Sequence, residues 1–167
     1  LLQFEYEQFI RKERGCAGLV SSEYVYAGCA IPLLYKFHLL RAGKAVPEPL
    51  PLGEDVFSKM ATDPVAKTAY EHFLRMLGMS LASLAAAYLP DQGILLCGNL
   101  LADTKEYLLA DIARGEESLV YSSMINNRCL GSYLKTLPLY LTTEQDLGLK
   151  GCWNYIRDMT QHAPPTS

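Results

Sequence analysis

The chain has 167 residues and a formal net charge of −3, and half of its residues are apolar while a fifth are charged. This length and balance predict one soluble globular domain with a sizeable core. No basic stripe is visible, which argues against nucleic-acid binding. The longest nearly apolar stretch, 79–89, is too short to span a bilayer, so we expect no membrane segment.

The five cysteines are odd in number and widely spaced, and none forms a C-x-x-C pair. This pattern argues against a disulfide framework and against a zinc site, and no metal ligand is assigned. We therefore expect a reducing compartment, the cytoplasm. The chain starts with Leu1 rather than Met and already in a helix-like pattern, so we also expect it to be a fragment of a longer protein.

The first third of the chain is predicted to be helical with irregular connections. Apolar residues in 1–14 recur at spacings of three, four and seven, which indicates an amphipathic helix that ends at Gly15. Ser21 or Ser22 is expected to cap a short helical turn, and Pro32 fits the first turn of the next helix.

A proline-rich stretch separates these helices from the rest of the chain. Three prolines within 44–55 predict an extended surface loop, and 54–61 follows as a short helix. The loop lies inside one compositionally uniform chain, so we do not treat it as a domain boundary.

The clearest element is a long helix that begins with Asp63 as its N-cap and Pro64 as its first residue. One apolar stripe runs along it: Val65, Ala69, Phe73, Met76, Leu77, Leu81, Leu84 and Tyr88. After Gly78 the helix is apolar or small nearly all round, which predicts a buried helix in close contact with a neighbour. Pro90 ends it.

The last part of the chain alternates between strands and helices. The apolar run 93–98 predicts a central strand covered on both faces. A helix over 103–115 should follow, capped by Asp103 or Thr104, then 117–137, which is helical or irregular. A second strand over 137–143 and a helix over 144–159 precede a frayed tail. Strand, helix and strand in this order predict a parallel pair with a right-handed crossover, and thus a piece of an α/β domain.

Ligands of open α/β sheets lie beyond the carboxyl ends of the strands. Gly98 and Asn99 stand at that end of the first strand, and 142–148 follows the second. Gly98 would let a ligand approach the backbone closely, and Asn99 can hydrogen-bond through either end of its amide. On these residues alone, an ordinary Gly-Asn turn is the favoured explanation, because turns outnumber ligand sites.

Other polar residues give weaker signals. Glu23 either complements a helix dipole or accepts hydrogen bonds from substrate hydroxyls. His38, His72 and His162 are interpreted as surface or core residues, because no Asp, Ser or Cys is placed to complete a triad with any of them. The sequence contains neither of two glycine-rich phosphate-binding motifs, G-x-x-x-x-G-K-S/T and G-x-G-x-x-G. The residues alone identify no catalytic group and no enzyme.

Three segments in order resemble the bacterial-type glucokinases. The segment 21–37 (SSEYVYAGCAIPLLYKF) resembles a Glu followed by a Ser-Gly-x-Gly-Leu turn and a helix. The segment 74–101 resembles the long small-residue helix and the strand that ends in a Gly-Gly pair. The segment 137–152 (LPLYLTTEQDLGLKGC) resembles the closing strand and its Gly-Leu-x-Gly helix. Protist, trypanosomatid-like members are the nearest in pattern, because they too lose the second Gly of the strand-end pair.

The resemblance implies that residues 1–167 are a C-terminal glucokinase-like α/β region. Its fold would be part of an actin-like ATPase (ribonuclease H-like) domain, with long helices on a small, mostly parallel sheet. Glu23 would contact sugar hydroxyls, while Gly28, Gly98 and Asn99 would lie near the nucleotide. The implied ligands are glucose, ATP or ADP, and Mg²⁺ held mainly by parts outside this chain. A homodimer, and a glycosome-like organelle if the source is a protist, rest on the family alone.

The sequence departs from the family in two ways. Ala27 and Ala30 replace a Ser and a Gly of the turn, and Asn99 replaces a Gly. The family's Asp-Gly-Gly-Thr loop, Asn-Asp pair and Gly-Thr-Gly turn have no counterpart in the chain, so we expect the chain alone to be inactive. Two alternatives remain open: a non-catalytic, kinase-like scaffold, and a hexose kinase for a different sugar such as mannose or glucosamine.

Overall fold

The computed structural model describes residues 2–142, 144 and 146–161, with side chains to residue 159. The helices among these residues are α1 (Leu2–Arg14), α2 (Glu23–Tyr26), α3 (Ala30–Arg41), α4 (Gly53–Lys59), α5 (Pro64–Tyr88), α6 (Asn99–Asp103), α7 (Lys105–Ile112), α8 (Leu119–Ile125), α9 (Gly131–Leu134) and α10 (Leu147–Gln161). The strands are β1 (Ile94–Leu96) and β2 (Leu139–Leu141), and Gly115–Glu117 forms a 3-10 turn.

The two strands form a parallel pair, as the strand–helix–strand order predicts. Ile94 is opposite Leu139 and Leu96 is opposite Leu141. The expectation of a strand covered on both faces is wrong within the described chain, because Leu95 is 60% exposed. The fold is therefore rich in helix with a small parallel sheet at one end, and β1 has one open face.

Helix α5 is the central element, and it packs chiefly against α3 and α8. It starts as predicted, because the Asp63 carboxylate accepts a hydrogen bond of 2.9 Å from the Val65 amide. The Tyr35 hydroxyl of α3 donates to the same carboxylate at 2.6 Å. That bond lowers the pKa of Asp63, while burial and the Asp63 contact raise the pKa of Tyr35 to about 12. The cap thus ties α3 to the start of α5.

The second half of α5 is less covered than its sequence predicts. Ala82 and Ala85 are buried, but Leu84 and Tyr88 at the end of the apolar stripe are largely exposed. Close packing instead occurs at Gly78, where a Cβ atom would lie 2.2 Å from the Val120 carbonyl oxygen of α8. The small residue therefore serves the contact with α8, while the end of α5 borders open space.

Two histidines face each other in the core between α3 and α5. The Nε2 atom of His38 lies 3.1 Å from the Nδ1 atom of His72, so one ring donates to the other. The Tyr6 ring of α1 packs edge-on against His72. Both histidines are buried, which confirms the interpretation of them as core residues. His162 lies outside the described residues.

The region that the sequence left ambiguous contains the helices α8 and α9 joined by an irregular segment, and the start of α8 is organised by Asp111. Its carboxylate accepts hydrogen bonds from the Ser118 hydroxyl at 2.6 Å and from the backbone amides of Leu119 and Val120 at 2.9 and 3.1 Å. It is thereby a buried cap for the start of α8, the helix that packs against α5. The helix predicted over 103–115 corresponds to α7, which has Thr104 as its N-cap residue as predicted but ends earlier, at Ile112; the short helix α6 before it was not predicted.

Replacing Asp111 by alanine should lower the free energy of unfolding by about 2 kcal/mol, because three donors at the start of α8 lose their acceptor. Urea unfolding followed by circular dichroism measures the change. The control is Glu106→Ala on the exposed side of α7, the helix that carries Asp111. This variant should stay within about 0.5 kcal/mol of the parent. Equal effects of the two changes would contradict this role of Asp111.

Two further expectations have separate outcomes. The final helix is confirmed but extends to Gln161, so the first two residues of the tail predicted over 160–167 are helical. Residues 162–167 lie outside the described residues. Among the helices that the structure describes, none has the length and apolar character needed to cross a membrane.

Candidate functional site

An open cleft of about 950 Å³ lies beside the carboxyl end of β1. Its walls come from the corner between α2 and α3, the start of α4, the apolar side of α5, strand β1 and helix α6. The elements that line it belong to widely separated parts of the chain. Most lining side chains are apolar, including Phe57, Phe73, Leu77 and Leu81.

Three of the four predicted site residues line this cleft. Gly28 lies on the α2–α3 corner, while Gly98 and Asn99 lie where β1 passes into α6. Glu23 is not among the lining residues. The structure therefore brings together the three residues expected near a nucleotide, although they are about 70 positions apart in sequence.

The Gly-Asn pair is the start of a helix rather than a free turn. Gly98 is the N-cap residue of α6, with a φ of +123°, and its carbonyl accepts a 3.0 Å hydrogen bond from the Ala102 amide. Side chains rarely adopt this φ, yet a Cβ there would meet no atom within 4 Å. Glycine is needed for the backbone conformation, and the space in front of it is open to a ligand. Asn99 is exposed beside it.

The corner that carries Gly28 is well formed despite its departures from the family pattern. The Ala30 amide donates a 2.9 Å hydrogen bond to the Ala27 carbonyl, and the Ala30 side chain is buried. A Cβ at Gly28 would also meet nothing within 4 Å. The Ala27 and Ala30 replacements thus leave an ordered turn that presents bare backbone to the cleft.

Several lining residues were missed by the sequence analysis. The Tyr26 hydroxyl is hydrogen-bonded to the Ser80 hydroxyl, which joins α2 to α5 across the cleft wall. Ser80 in turn donates to the Met76 carbonyl at 2.9 Å. The one indication of this bond in the sequence was Ser80 itself, a polar residue beside the apolar stripe of α5. The pairing itself spans 54 residues, so no local pattern reveals it.

The charged groups in the cleft are both acidic. Glu54 and Asp103 line it, whereas no Lys, Arg or His occurs among the lining residues of the described chain. Phosphate groups are normally held by cations or by helix N-termini. The apolar lining and the two carboxylates therefore suit a neutral, partly aromatic molecule with hydroxyl or amino groups, and the described cleft residues offer no cation to the phosphates of a nucleotide.

Glu23 lies at the other end of the short helix α2. It is the first residue of that helix, its side chain is exposed, and among the described residues nothing forms an ion pair or hydrogen bond with its carboxylate. The buried Tyr6 hydroxyl donates a 3.0 Å hydrogen bond to the neighbouring Tyr24 carbonyl, and burial raises the pKa of Tyr6. The helix is thus anchored from α1 while Glu23 faces solvent.

No group of three or more His, Cys, Asp or Glu residues that could hold a metal ion occurs in the part of the chain that the structure describes. The five cysteines are free, and four of them are exposed.

The family model for glucokinase matches residues 2–159. The chain belongs to the glucokinase family. All four predicted site residues fall inside the matched range. Two curated relatives named glucokinase agree with this result. The protein of Mesorhizobium japonicum is 24% identical over 141 residues, which are 84% of this chain and 39% of the relative. That of Marinobacter nauticus is 28% identical over 142 residues, 85% of this chain and 42% of the relative.

A solved structure extends the likeness to the fold. The crystal structure of a glucokinase from an Antarctic psychrotroph matches with a TM-score of 0.74 at 22% identity, covering 94% of this chain and 46% of that one. The fold described above is therefore that of part of a glucokinase. The chain spans about two fifths of the length of the curated relatives that it matches.

Proposed function

We propose that this chain is the C-terminal portion of an ATP-dependent glucokinase, and that its cleft forms one wall of the adenosine pocket. The observation that carries the proposal is the meeting of Gly28 with Gly98 and Asn99 in one cleft. These residues come from two separate segments that resemble the family, and their presence in one cleft is a result of folding rather than of sequence proximity.

The chemistry of the cleft supports the nucleoside end of ATP as its occupant. Apolar side chains such as Phe57 and Leu81 offer contact to a purine, and the carboxylates of Glu54 and Asp103 can accept hydrogen bonds from amino or hydroxyl groups. A volume of about 950 Å³ lies within the range of ligand clefts. The bare backbone at Gly28 and Gly98 permits close approach.

The rest of the reaction falls to parts outside the chain. Phosphoryl transfer needs charge stabilisation around the phosphates, and the described residues supply neither a metal site nor a cation in the cleft. The phosphates and Mg²⁺ would thus be held elsewhere in an actin-like ATPase fold, and this chain alone would be inactive. The complete cytoplasmic enzyme would convert glucose and ATP to glucose 6-phosphate and ADP.

Adenosine binding tests the pocket directly. Isothermal titration of the chain should show that adenosine and ADP bind with affinities within a few fold of each other, because the cleft has no cation for the phosphates. Leu84→Gln, in the cleft wall, should weaken adenosine binding about tenfold, since it removes apolar contact of roughly 1.4 kcal/mol.

The matched control is Tyr88→Gln, one turn later on the same helix α5. Tyr88 is exposed but does not line the cleft, so this variant should bind adenosine like the parent. Equal weakening by both changes, or no adenosine binding by the parent, would contradict the proposed pocket and favour a non-catalytic scaffold.

Glu23 is proposed as a sugar-contacting carboxylate of the complete enzyme. Its exposed position at the start of α2 and its lack of a partner among the described residues support this role. In the complete protein, Glu23→Gln should weaken glucose binding by about tenfold or more, because hydrogen bonds to a charged group contribute roughly 1.5–3 kcal/mol. Unchanged glucose affinity in a titration would remove Glu23 from the sugar site.

Three further expectations rest on the resemblance alone: selectivity for glucose among sugars, a relationship to the protist members of the family, and a homodimer. Titration of the complete protein with glucose, mannose and glucosamine separates a glucokinase from a hexose kinase of other specificity, since the tightest-binding sugar identifies the substrate class.

A further inference from the structure

Helix α2 is a single turn that links the two proposed binding regions. Glu23 is its first residue, Tyr26 is its last, and Gly28 follows two positions later. Tyr26 and Gly28 line the cleft, while Glu23 faces solvent outside it. Residues three positions apart on a helix lie on the same side, so the side chains of Glu23 and Tyr26 leave α2 as neighbours. A displacement of α2 therefore moves both.

A helix as short as α2 does not hold its position by itself. One turn makes too few backbone hydrogen bonds to offset the entropy lost when it is fixed, and the Ser22 side chain makes no capping bond at its start. The position of α2 is therefore set by its contacts with the body of the fold, which are chiefly with α3 and α5.

Side-chain hydrogen bonds tie α2 to other helices on two sides. On one side the Tyr6 hydroxyl of α1 donates to the Tyr24 carbonyl at 3.0 Å. On the other side the Tyr26 hydroxyl donates to the Ser80 hydroxyl of α5. The first bond is sheltered, because Tyr6 is only 3% exposed, whereas Tyr26 is 38% exposed. Since Tyr26 and Ser80 also line the cleft, the second bond is the one that a ligand in the cleft can influence.

The direction of the bond between Tyr26 and Ser80 follows from counting hydrogens. A serine hydroxyl has one hydrogen to donate, and Ser80 donates it to the Met76 carbonyl at 2.9 Å. The Ser80 oxygen can then only accept, so Tyr26 is the donor. Loss of the hydroxyl at Tyr26 or of the hydroxyl at Ser80 removes the same bond.

We propose that Tyr26 is a positioning residue, and that its hydrogen bond to Ser80 holds α2 in the place from which Glu23 contacts the sugar. The inference rests on the proposed function, because Glu23 is taken to bind sugar hydroxyls. Without the bond, α2 is displaced for part of the time, and the sugar binds only the fraction of molecules in which α2 is in place. Glucose affinity thus depends on two residues of the nucleotide cleft.

Adenosine in the cleft should reduce this dependence. A nucleoside there lies against the Tyr26 ring, so it favours the same position of α2 that the hydrogen bond favours. In a Tyr26→Phe variant, which keeps the ring, bound adenosine should therefore assist glucose binding. In the parent the hydrogen bond already holds α2, and adenosine has less to add.

Isothermal titration of the complete protein with glucose measures these effects. Tyr26→Phe and Ser80→Ala should each weaken glucose binding about fivefold, the effect of one net hydrogen bond. The double variant should weaken it no further, because both changes remove one bond. Saturating adenosine should restore the glucose affinity of Tyr26→Phe to within about twofold of the parent. A change that only lowers stability does not produce this combination.

Two matched controls remove a hydroxyl but leave the bond intact. Ser83→Ala, three residues after Ser80 on α5, loses a hydroxyl that donates to the Met79 carbonyl at 3.1 Å and does not line the cleft. Tyr24→Phe loses a ring hydroxyl of α2 but keeps the backbone carbonyl that accepts from Tyr6. Both variants should bind glucose like the parent.

A Glu23→Gln background shows whether the effect passes through Glu23. If it does, Tyr26→Phe should weaken glucose binding no further in that background. The inference alone is overturned if the two losses add, if adenosine restores nothing, or if Tyr26→Phe and Ser80→Ala bind glucose like the parent while Glu23→Gln binds it more weakly. Unchanged glucose affinity of Glu23→Gln would instead contradict the proposed sugar contact, and the inference with it.

Discussion

Replacing Gly78 by alanine should lower the free energy of unfolding by about 3 kcal/mol, because the added methyl group has no room. Its Cβ would lie 2.2 Å from the Val120 carbonyl oxygen and 2.9 Å from the Ser123 Cβ, both on α8. A backbone carbonyl cannot rotate away as a flexible side chain can. Helices α5 and α8 form the most extensive contact of the fold, so their separation would disturb the whole core.

Urea unfolding measures this effect, and Gly28→Ala is its matched control. The Cβ at Gly28 meets nothing within 4 Å, so that variant should stay within about 0.5 kcal/mol of the parent. The ordinary helix preference for alanine over glycine predicts the opposite sign at Gly78, a gain of up to about 1 kcal/mol. A Gly78→Ala chain as stable as the parent would therefore refute the described contact between α5 and α8.

Acid should destabilise the chain through the buried histidine pair. Burial lowers the pKa of His38 to about 4 and that of His72 to about 3. The charges of Arg41 and Arg75 contribute to both of these pKa shifts, and the charge of His38 contributes to that of His72. The aromatic rings of Tyr6 and Phe37 also pack against His72.

The sign follows from proton counting. In the unfolded chain a histidine takes up its proton near pH 6.5, whereas in the folded chain both rings stay neutral until well below that value. Between these limits the unfolded state binds more protons, so stability falls as the pH falls. Each histidine contributes a slope of up to about 1.4 kcal/mol per pH unit, which amounts to about 2 kcal/mol for each between pH 7 and pH 5.

Urea unfolding at several pH values between 7 and 5 measures this slope above the range in which most carboxylates titrate. His72→Asn removes one titrating ring, and its side-chain amide can replace the Nδ1 contact to His38. The slope should then fall by about half. A parent slope near zero in this range would mean that the two rings are accessible to protons in the folded state.

Most helices and strands could be predicted from the sequence, because the interactions that start and end them act between residues close together in the chain. The start of α5 follows from Asp63 and Pro64, whose capping and fixed φ act within one turn. The parallel pairing of β1 and β2 follows from the order of the elements. The burial of α5 beyond Gly78 was predicted correctly for Ala82 and Ala85 but wrongly for Leu84 and Tyr88, because composition shows which faces are apolar and not whether a neighbour covers them.

The candidate site was predicted only through resemblance. Periodicity left Gly98 and Asn99 as a turn or a ligand site, and the structure shows a strand that passes directly into a helix. The proximity of this corner to Gly28, and the hydrogen bond between Tyr26 and Ser80, depend on the packing of α2 against α5. Long-range contacts of this kind leave no local pattern in one sequence.

The central claim is that Gly28, Gly98 and Asn99 face one adenosine molecule. Amide NMR spectra of the isotope-labelled chain, recorded during an adenosine titration, test it most directly. The account predicts that these three amide signals shift together with one dissociation constant, while Gly15 after α1 and Gly151 on α10 stay in place. If saturating adenosine moves none of the three signals, or moves all five glycine and asparagine signals alike, the claim is contradicted.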